Sequence, residues 1–244
     1  MNLCGCTPRR EAARREASAV RRRAVVAAIV AVTVVGVAVW RLLPRDTATP
    51  AVRATGAHAY AYRTTGFEEI DAFGGARHDY PKRTAIVVRS TDCGVVLTWR
   101  PFEERMTRWE LCRSERGWLL RGFSELHTFF GRRDRRIYRC RSGSLLVDAT
   151  CSAGDTTETA EGTTLGTETL TIGGRRVETL HLNVRTRLDG KTRGTGTREL
   201  WLRSDGLPVR WILTNVSVTP SLVGDVHYRE RLELTLLSLA PGAG

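Results

Sequence analysis

Histidines and carboxylates are the residues most able to do chemistry in this chain, and their spacing argues against a catalytic or metal centre. The five histidines (His58, His78, His127, His181 and His227) contain no H-x-x-x-H or H-x-H pair, the spacings that bring two imidazoles to one face of a helix or strand. The acidic pairs Glu68-Glu69 and Glu103-Glu104 sit in polar stretches. Neighbours on a strand point to opposite faces, which is wrong for two carboxyls sharing acid–base work. Neither a G-x-S-x-G elbow nor a phosphate-cradling glycine loop is present, so the expectation is no enzyme, no cofactor and no metal.

Two polar-aromatic clusters stand out. One runs from Gly74 to Pro81 and holds His78 and Tyr80; the other is His127-Thr-Phe-Phe-Gly131, with Phe129 and Phe130. Read as loops they are candidate binding surfaces, since loops carry function more often than strands. The alternative is that the aromatics plug the core beside a bend, with glycines supplying positive φ. Directly after them, Arg132 to Arg141 contains six arginines and one aspartate. As a strand this segment is either an edge protected by charge or a docking strip for phosphate-bearing polymers.

Four cysteines, Cys93, Cys112, Cys140 and Cys151, lack any C-x2-C spacing and read as two disulfides with three possible connectivities. A hairpin joining Val95–Trp99 to Trp109–Cys112 sets Cys93 opposite Cys112 and leaves Cys140 for Cys151. Cys4 and Cys6 precede the apolar run described next. They read as inert cytoplasmic thiols, with S-acylation as the alternative.

The elements that position these groups begin with a membrane segment. Ala24 to Trp40 carries no charge, and with Arg41, Leu42 and Leu43 it approaches the length of a single transmembrane α-helix over 24–43. Seven arginines against two glutamates in residues 1–23 keep that basic segment cytoplasmic and send the rest outward. Cleavage after Ala38 is the alternative, but the run is long for a signal peptide and the bulky Trp40 follows at once. The expected location is therefore the cell membrane, single-pass, with an extracytoplasmic C-terminal domain. The formal charge is +12, and only Lys82 and Lys191 among the 38 basic residues are lysine. That bias reflects G+C-rich coding as much as selected chemistry. A basic outer surface is still drawn to lipid headgroups or an anionic envelope polymer; nucleic acid has no motif behind it and is not expected.

A proline-containing stalk over 44–57 leads to the outer domain, 58–240, whose patterning is almost all strand. Residues 66–73 are balanced between a helical turn and a strand. Residues 152–163 are small, polar and acidic, and read as a loop or internal linker. Gly173-Gly174 marks a two-residue hairpin. After it Leu180, Leu182, Val184 and Leu188 share one face while His181, Asn183, Arg185 and Arg187 share the other. The fold class expected is all-β: a mainly antiparallel curved sheet or open half-barrel behind a transmembrane helix.

The segments Gly75–Pro81, Asp92-Cys-Gly94, Trp109–Cys112, His127–Gly131 and Tyr138-Arg-Cys140 resemble uncharacterised actinobacterial membrane-anchored proteins. More distantly, Leu165–Thr169, Val177–Val184 and Leu200–Pro208 look like the strand pattern of LolA-like and mycobacterial lipoprotein half-barrels. That resemblance implies an acyl chain held under a curved sheet. Leu180, Leu182, Val184, Leu200 and Leu202 would then face the ligand. The function expected is a non-enzymatic binding module of the bacterial cell envelope, for lipid or lipoconjugate. The alternative is a structural or protein-interaction module with a closed core.

Overall fold

Side chains alternate between core and solvent along much of the wall, as over Arg175–Gly190 and Gly224–Leu236, and the sheet closes on itself; residues 161–169 are exposed on both faces. A computed structural model describes residues 56–222 and 224–242. The basic segment 1–23, the apolar span 24–43 and nearly all of the stalk 44–57 lie outside the described residues. The strands are β1 (Ala57–Ile70), β2 (Ala76–Asp79), β3 (Arg83–Ser90), β4 (Gly94–Phe102), β5 (Arg105–Ser114), β6 (Gly117–Phe129) and β7 (Arg132–Cys140). They continue with β8 (Asp148–Ala153), β9 (Thr156–Ile172), β10 (Arg175–Gly190), β11 (Arg193–Leu202), β12 (Pro208–Ser221) and β13 (Gly224–Leu236).

All thirteen strands form one antiparallel sheet, in sequence order from β3 to β13 with β1 between β3 and β2, and β13 also pairs with β1. Strands β2 and β3 follow one register along β1, from Ile70↔Ala76 to Ala57↔Arg89. They are one stave interrupted at Pro81, which has no N–H to give the ladder. Backbone bonds from Tyr80 to Gly66 (3.0 Å) and from Thr64 to Lys82 (2.9 Å) carry the ladder past the break. The barrel therefore has twelve staves.

Closure corrects the expected open half-barrel. Strand β1 spans 14 residues. Its first half pairs with β3, and Tyr62 to Ile70 pair with β13 from Leu236 to Tyr228. An edge strand presents a row of unpaired backbone groups, and joining first to last removes that edge. Residues 152–163 are the end of β8 and the start of β9 joined by a two-residue turn, Gly154-Asp155, rather than a linker, with Thr156, Glu158 and Ala160 pointing into the barrel and Thr157, Thr159 and Glu161 alternating with them. Residues 66–70 complete β1, and a single 3-10 turn, Ala72–Gly74, follows.

A twelve-stranded lumen is wider than the eight-stranded kind that aliphatic side chains fill. Aromatics fill this one. Trp109 on β5 and Trp211 on β12, strands that are not neighbours, meet with ring centroids 4.2 Å apart. Tyr62, Ile86, Leu97, Trp99, Leu234 and Leu236 are buried in the same cluster. On β13 the residues Leu232, Leu234 and Leu236 are buried, while Arg229 and Arg231 face solvent. Apolar-in and charged-out is the inverse of a lipid-embedded barrel.

The cysteines pair as Cys93–Cys112 and Cys140–Cys151. The second bridge sits at the weakest point of the wall. Strands β7 and β8 share only Arg139↔Ser152 and Cys140↔Cys151, and the disulfide links the latter pair directly.

Candidate functional site

Inward positions of the barrel divide into two zones. The end where the chain enters, around Ala57, is apolar; the other end is charged. Strand phase alone puts Glu68, Glu125, Glu158 and Glu230 inside at that second end, with Arg105, His127 and Arg198. A buried ion costs several kcal/mol of desolvation unless it is paired and hydrogen-bonded. The network that results is extensive.

Glu68 is its centre and is completely buried. The ladder sets it opposite Glu230 on β13 and His78 on β2. One carboxylate oxygen lies 3.0 Å from His78 Nδ1; the other lies 3.0 Å from His127 Nδ1 and accepts from the Tyr228 hydroxyl at 3.2 Å. Arg105 opens β5 immediately after the acidic turn, and its guanidinium lies inside the lumen. Its Nη2 donates to Glu230 at 3.1 Å, its Nη1 donates to the Met106 carbonyl at 2.9 Å, and its Nε is 3.3 Å from Glu68. Tyr80 donates to Glu230 at 2.6 Å. Rings wall the cluster: His78 stacks on Phe129 at 4.8 Å, and His127 meets Tyr228 edge-on at 5.2 Å. Deeper in, Arg198 grips Glu158 with two contacts of 2.8 and 3.0 Å. The Arg198 guanidinium also lies 5.7 Å from the Phe123 ring across the lumen.

Electrostatics follow from these contacts. Burial pushes the Glu68 carboxyl up, but the His127 bond and the charges of His127 and Arg105 outweigh it and hold the pKa below the ordinary value. Burial acts the same way on Glu125 and is overcome by His127 and Arg105, which bring it down to about 2. For His127, burial and Arg105 favour the neutral ring, yet Glu125 and Glu68 prevail and its pKa is raised. Burial, reinforced by Glu230, pushes Tyr80 and Tyr228 well above the ordinary phenol value. The cluster is thus an ion network in which Glu68 and Glu230 accept from donors of the same chain, while Arg105 Nε makes no hydrogen bond. Among the described residues no hydroxyl or thiol nucleophile is hydrogen-bonded to either histidine, and no group of three or more His, Cys, Asp or Glu is arranged for a metal ion.

The structure brings the two polar-aromatic segments together, but on strands rather than loops. His78 belongs to β2, and His127 and Phe129 belong to β6, while Tyr80 sits in the break between β2 and β3. Only Phe130 is in a turn, with a left-handed φ of 52° and half its surface exposed. Leu182, Val184, Leu200 and Leu202 are buried in the hydrophobic cluster, and Leu180 packs against it. His181 stands apart, stacked on Trp201 at 4.1 Å.

Sequence reasoning missed Glu68, Arg105, Glu125, Tyr228 and Glu230. The readable signal was phase: Tyr228 and Glu230 occupy the same alternate positions as Leu232, Leu234 and Leu236. The acidic pair Glu68-Glu69 does split across the wall. Glu69 faces out and pairs with Arg229 and Arg77.

Beside the network lies a hollow of about 610 Å³ lined by Glu69, Arg229, Arg193, Thr195 and Val216 among others. Its walls carry charge of both signs, much of it already matched, as in Arg229 with Glu69 and Arg187 with Asp189. Comparison with protein-family models, with curated proteins and with solved structures finds no match to this chain.

Proposed function

We propose that this chain is a membrane-tethered, extracytoplasmic interaction module, non-enzymatic, whose barrel core is closed and whose recognition surface is its outer wall and charged rim. The supporting observation is the contact of Trp109 with Trp211 across the lumen at 4.2 Å. The chain's own side chains stand where an acyl chain would lie, and Leu182, Val184, Leu200 and Leu202 belong to that packing. The ion network near the rim acts as a polar plug. Tethering rests on the apolar run over 24–43 and the arginine asymmetry around it. The two disulfides fit an oxidising compartment outside the cytoplasm.

The test uses the full chain in detergent micelles and a fluorescent acyl probe. The closed-core reading expects no saturable uptake, and expects Leu182→Trp to overpack the interior and cost roughly 1–3 kcal/mol of stability. Saturable uptake abolished by Leu182→Trp with an unchanged thermal midpoint would replace it with the lipid-carrier reading.

A further inference from the structure

Two stretches of wall in this closed barrel lack a neighbouring strand among the described residues: β9 beyond Glu161 on its β8 side, and most of β7 on the side away from β6. Strand β7 pairs with β6 along its whole length, Arg132↔Phe129 to Arg139↔Gly122, yet on its other side only Arg139 and Cys140 find partners in β8. From Arg132 to Tyr138 that side has no backbone partner among the described residues, the one side-chain tie being Arg136 Nη1 donating to Thr192 Oγ1 at 2.8 Å. In an antiparallel sheet alternate residues point their N–H and C=O to the same side, so the open side offers an unused ladder of donors and acceptors. Residues Arg132 to Arg135 and Ile137 are exposed, Ile137 at 54%.

The net charge beside this edge is strongly positive. Arg132, Arg133, Arg135 and Arg139 are exposed and pair with no acidic group among the described residues. Asp134, the sole acid in the strand, is bound to Arg136 at 3.1 Å. Arg133, Arg135 and Arg139 share the outward phase, spaced by two and four residues, or roughly 7 and 14 Å along the strand. Charge on an edge does exclude casual neighbours, and here it repels the same edge of a second copy. Like charge keeps basic and neutral strands away, whereas an acidic strand is attracted. Four unmatched arginines admit one class of strand and reject the rest.

We propose that the open edge of β7, Arg132 to Tyr138, takes an extended acidic polypeptide segment as an added strand. Backbone bonds supply affinity, and carboxylates on alternate residues meet Arg133, Arg135 and Arg139. The proposal rests on the interaction-module reading and names its partner class. Ladder geometry favours a polypeptide over a phosphate polymer, because a phosphate polymer uses the arginines and leaves the backbone groups unanswered.

The experiment uses the full chain in detergent micelles. The probe is an eight-residue peptide alternating glutamate and threonine, followed by fluorescence anisotropy and by amide hydrogen exchange over 132–138. Two N-methylated versions, on the glutamate amides or on the threonine amides, carry the same charge, and inorganic polyphosphate is the competing anion. The expected result is binding of the parent peptide with slowed exchange at 132–138. One N-methylated version loses binding and the other keeps it, because only alternate amides face β7. Combined Arg133→Glu, Arg135→Glu and Arg139→Glu should weaken binding roughly tenfold or more, with an unchanged thermal midpoint.

Equal binding of both N-methylated versions, or polyphosphate binding with no change in exchange at 132–138, overturns the proposal in favour of a polyanion strip. Absence of peptide binding also overturns it and leaves the arginines as an edge guard. None of these results touches the closed core, whose failure is read separately as uptake of the acyl probe.

Discussion

Replacing Cys140 and Cys151 together by alanine should open the barrel at one seam before the rest unfolds. The bridge spans a sequence separation of 11. Chain-entropy reasoning gives it roughly 2.8 kcal/mol, from about −2.1 − 1.5R ln n cal/mol/K at 25 °C. The Cys93–Cys112 bridge, with a separation of 19, comes to roughly 3.2 kcal/mol on the same basis. For a domain of this size either loss lowers the thermal midpoint by about 6–12 °C. The global effects are nearly equal; the local ones are not. The β4–β5 ladder around Cys93–Cys112 holds seven registered pairs, whereas β7–β8 holds two. Hydrogen exchange should therefore separate the variants. Without Cys140–Cys151, amides of 139–141 and 148–153 exchange by a local opening well below the global free energy. Without Cys93–Cys112, the β4–β5 amides keep exchanging only with global unfolding. Protection at 148–153 that stays at the global limit in the Cys140→Ala/Cys151→Ala protein would refute this account of the seam.

Other perturbations probe the charged end and the anchor. Arg105→Met leaves Glu68 and Glu230 buried without their cation and should cost about 3–5 kcal/mol in urea unfolding; adding Glu230→Gln should recover part of it, and a purely additive double mutant would show that the two groups do not couple. Because the His127 pKa is raised on folding, its stabilisation is complete below about pH 6.5 and is lost as pH rises through the folded value. The midpoint difference between wild type and His127→Gln should thus shrink from pH 5.5 to pH 8, and a constant difference would contradict it. Glu125 has the opposite sign: its stabilisation is present above the ordinary carboxyl value and is lost as pH falls toward about 2, so Glu125→Gln should flatten the acid limb of the melting curve. External protease on intact cells should remove the chain after about residue 43 and spare an epitope at Met1; a mature soluble protein beginning near Val39 would replace the anchor with a cleaved signal.

Much of the wall was legible because antiparallel strands with one buried face announce themselves residue by residue. Leu180 to Leu188 alternated as read, Gly173-Gly174 made its hairpin with φ of 54° and 77°, and the cysteines paired as read, although the ladder sets Gly94 rather than Cys93 directly opposite Cys112. Closure was not legible, because Tyr62↔Leu236 is a pairing between chain ends that no local pattern encodes. The segment 152–163 misled for a related reason: an inward Glu158 looks like loop chemistry until Arg198, on a distant strand, supplies its charge. The charged lumen shares that cause. Composition cannot tell a solvated glutamate from one facing inward beneath an arginine, and only the phase set by neighbouring leucines tells them apart.

Joining the first strand to the last also constrains how the molecule is made. Residue 62 finds its partner only when residue 236 exists, so the final stave must be synthesised before the barrel can shut. Non-local pairing of this kind slows folding, because loop-closure entropy is spent before any contact repays it. Until then both end strands of the growing sheet are exposed to every other nascent chain nearby. The half-formed sheet spends that interval in the most aggregation-prone state it ever visits. Outward arginines such as Arg229 and Arg231 give every copy the same charge, which opposes association between half-formed sheets.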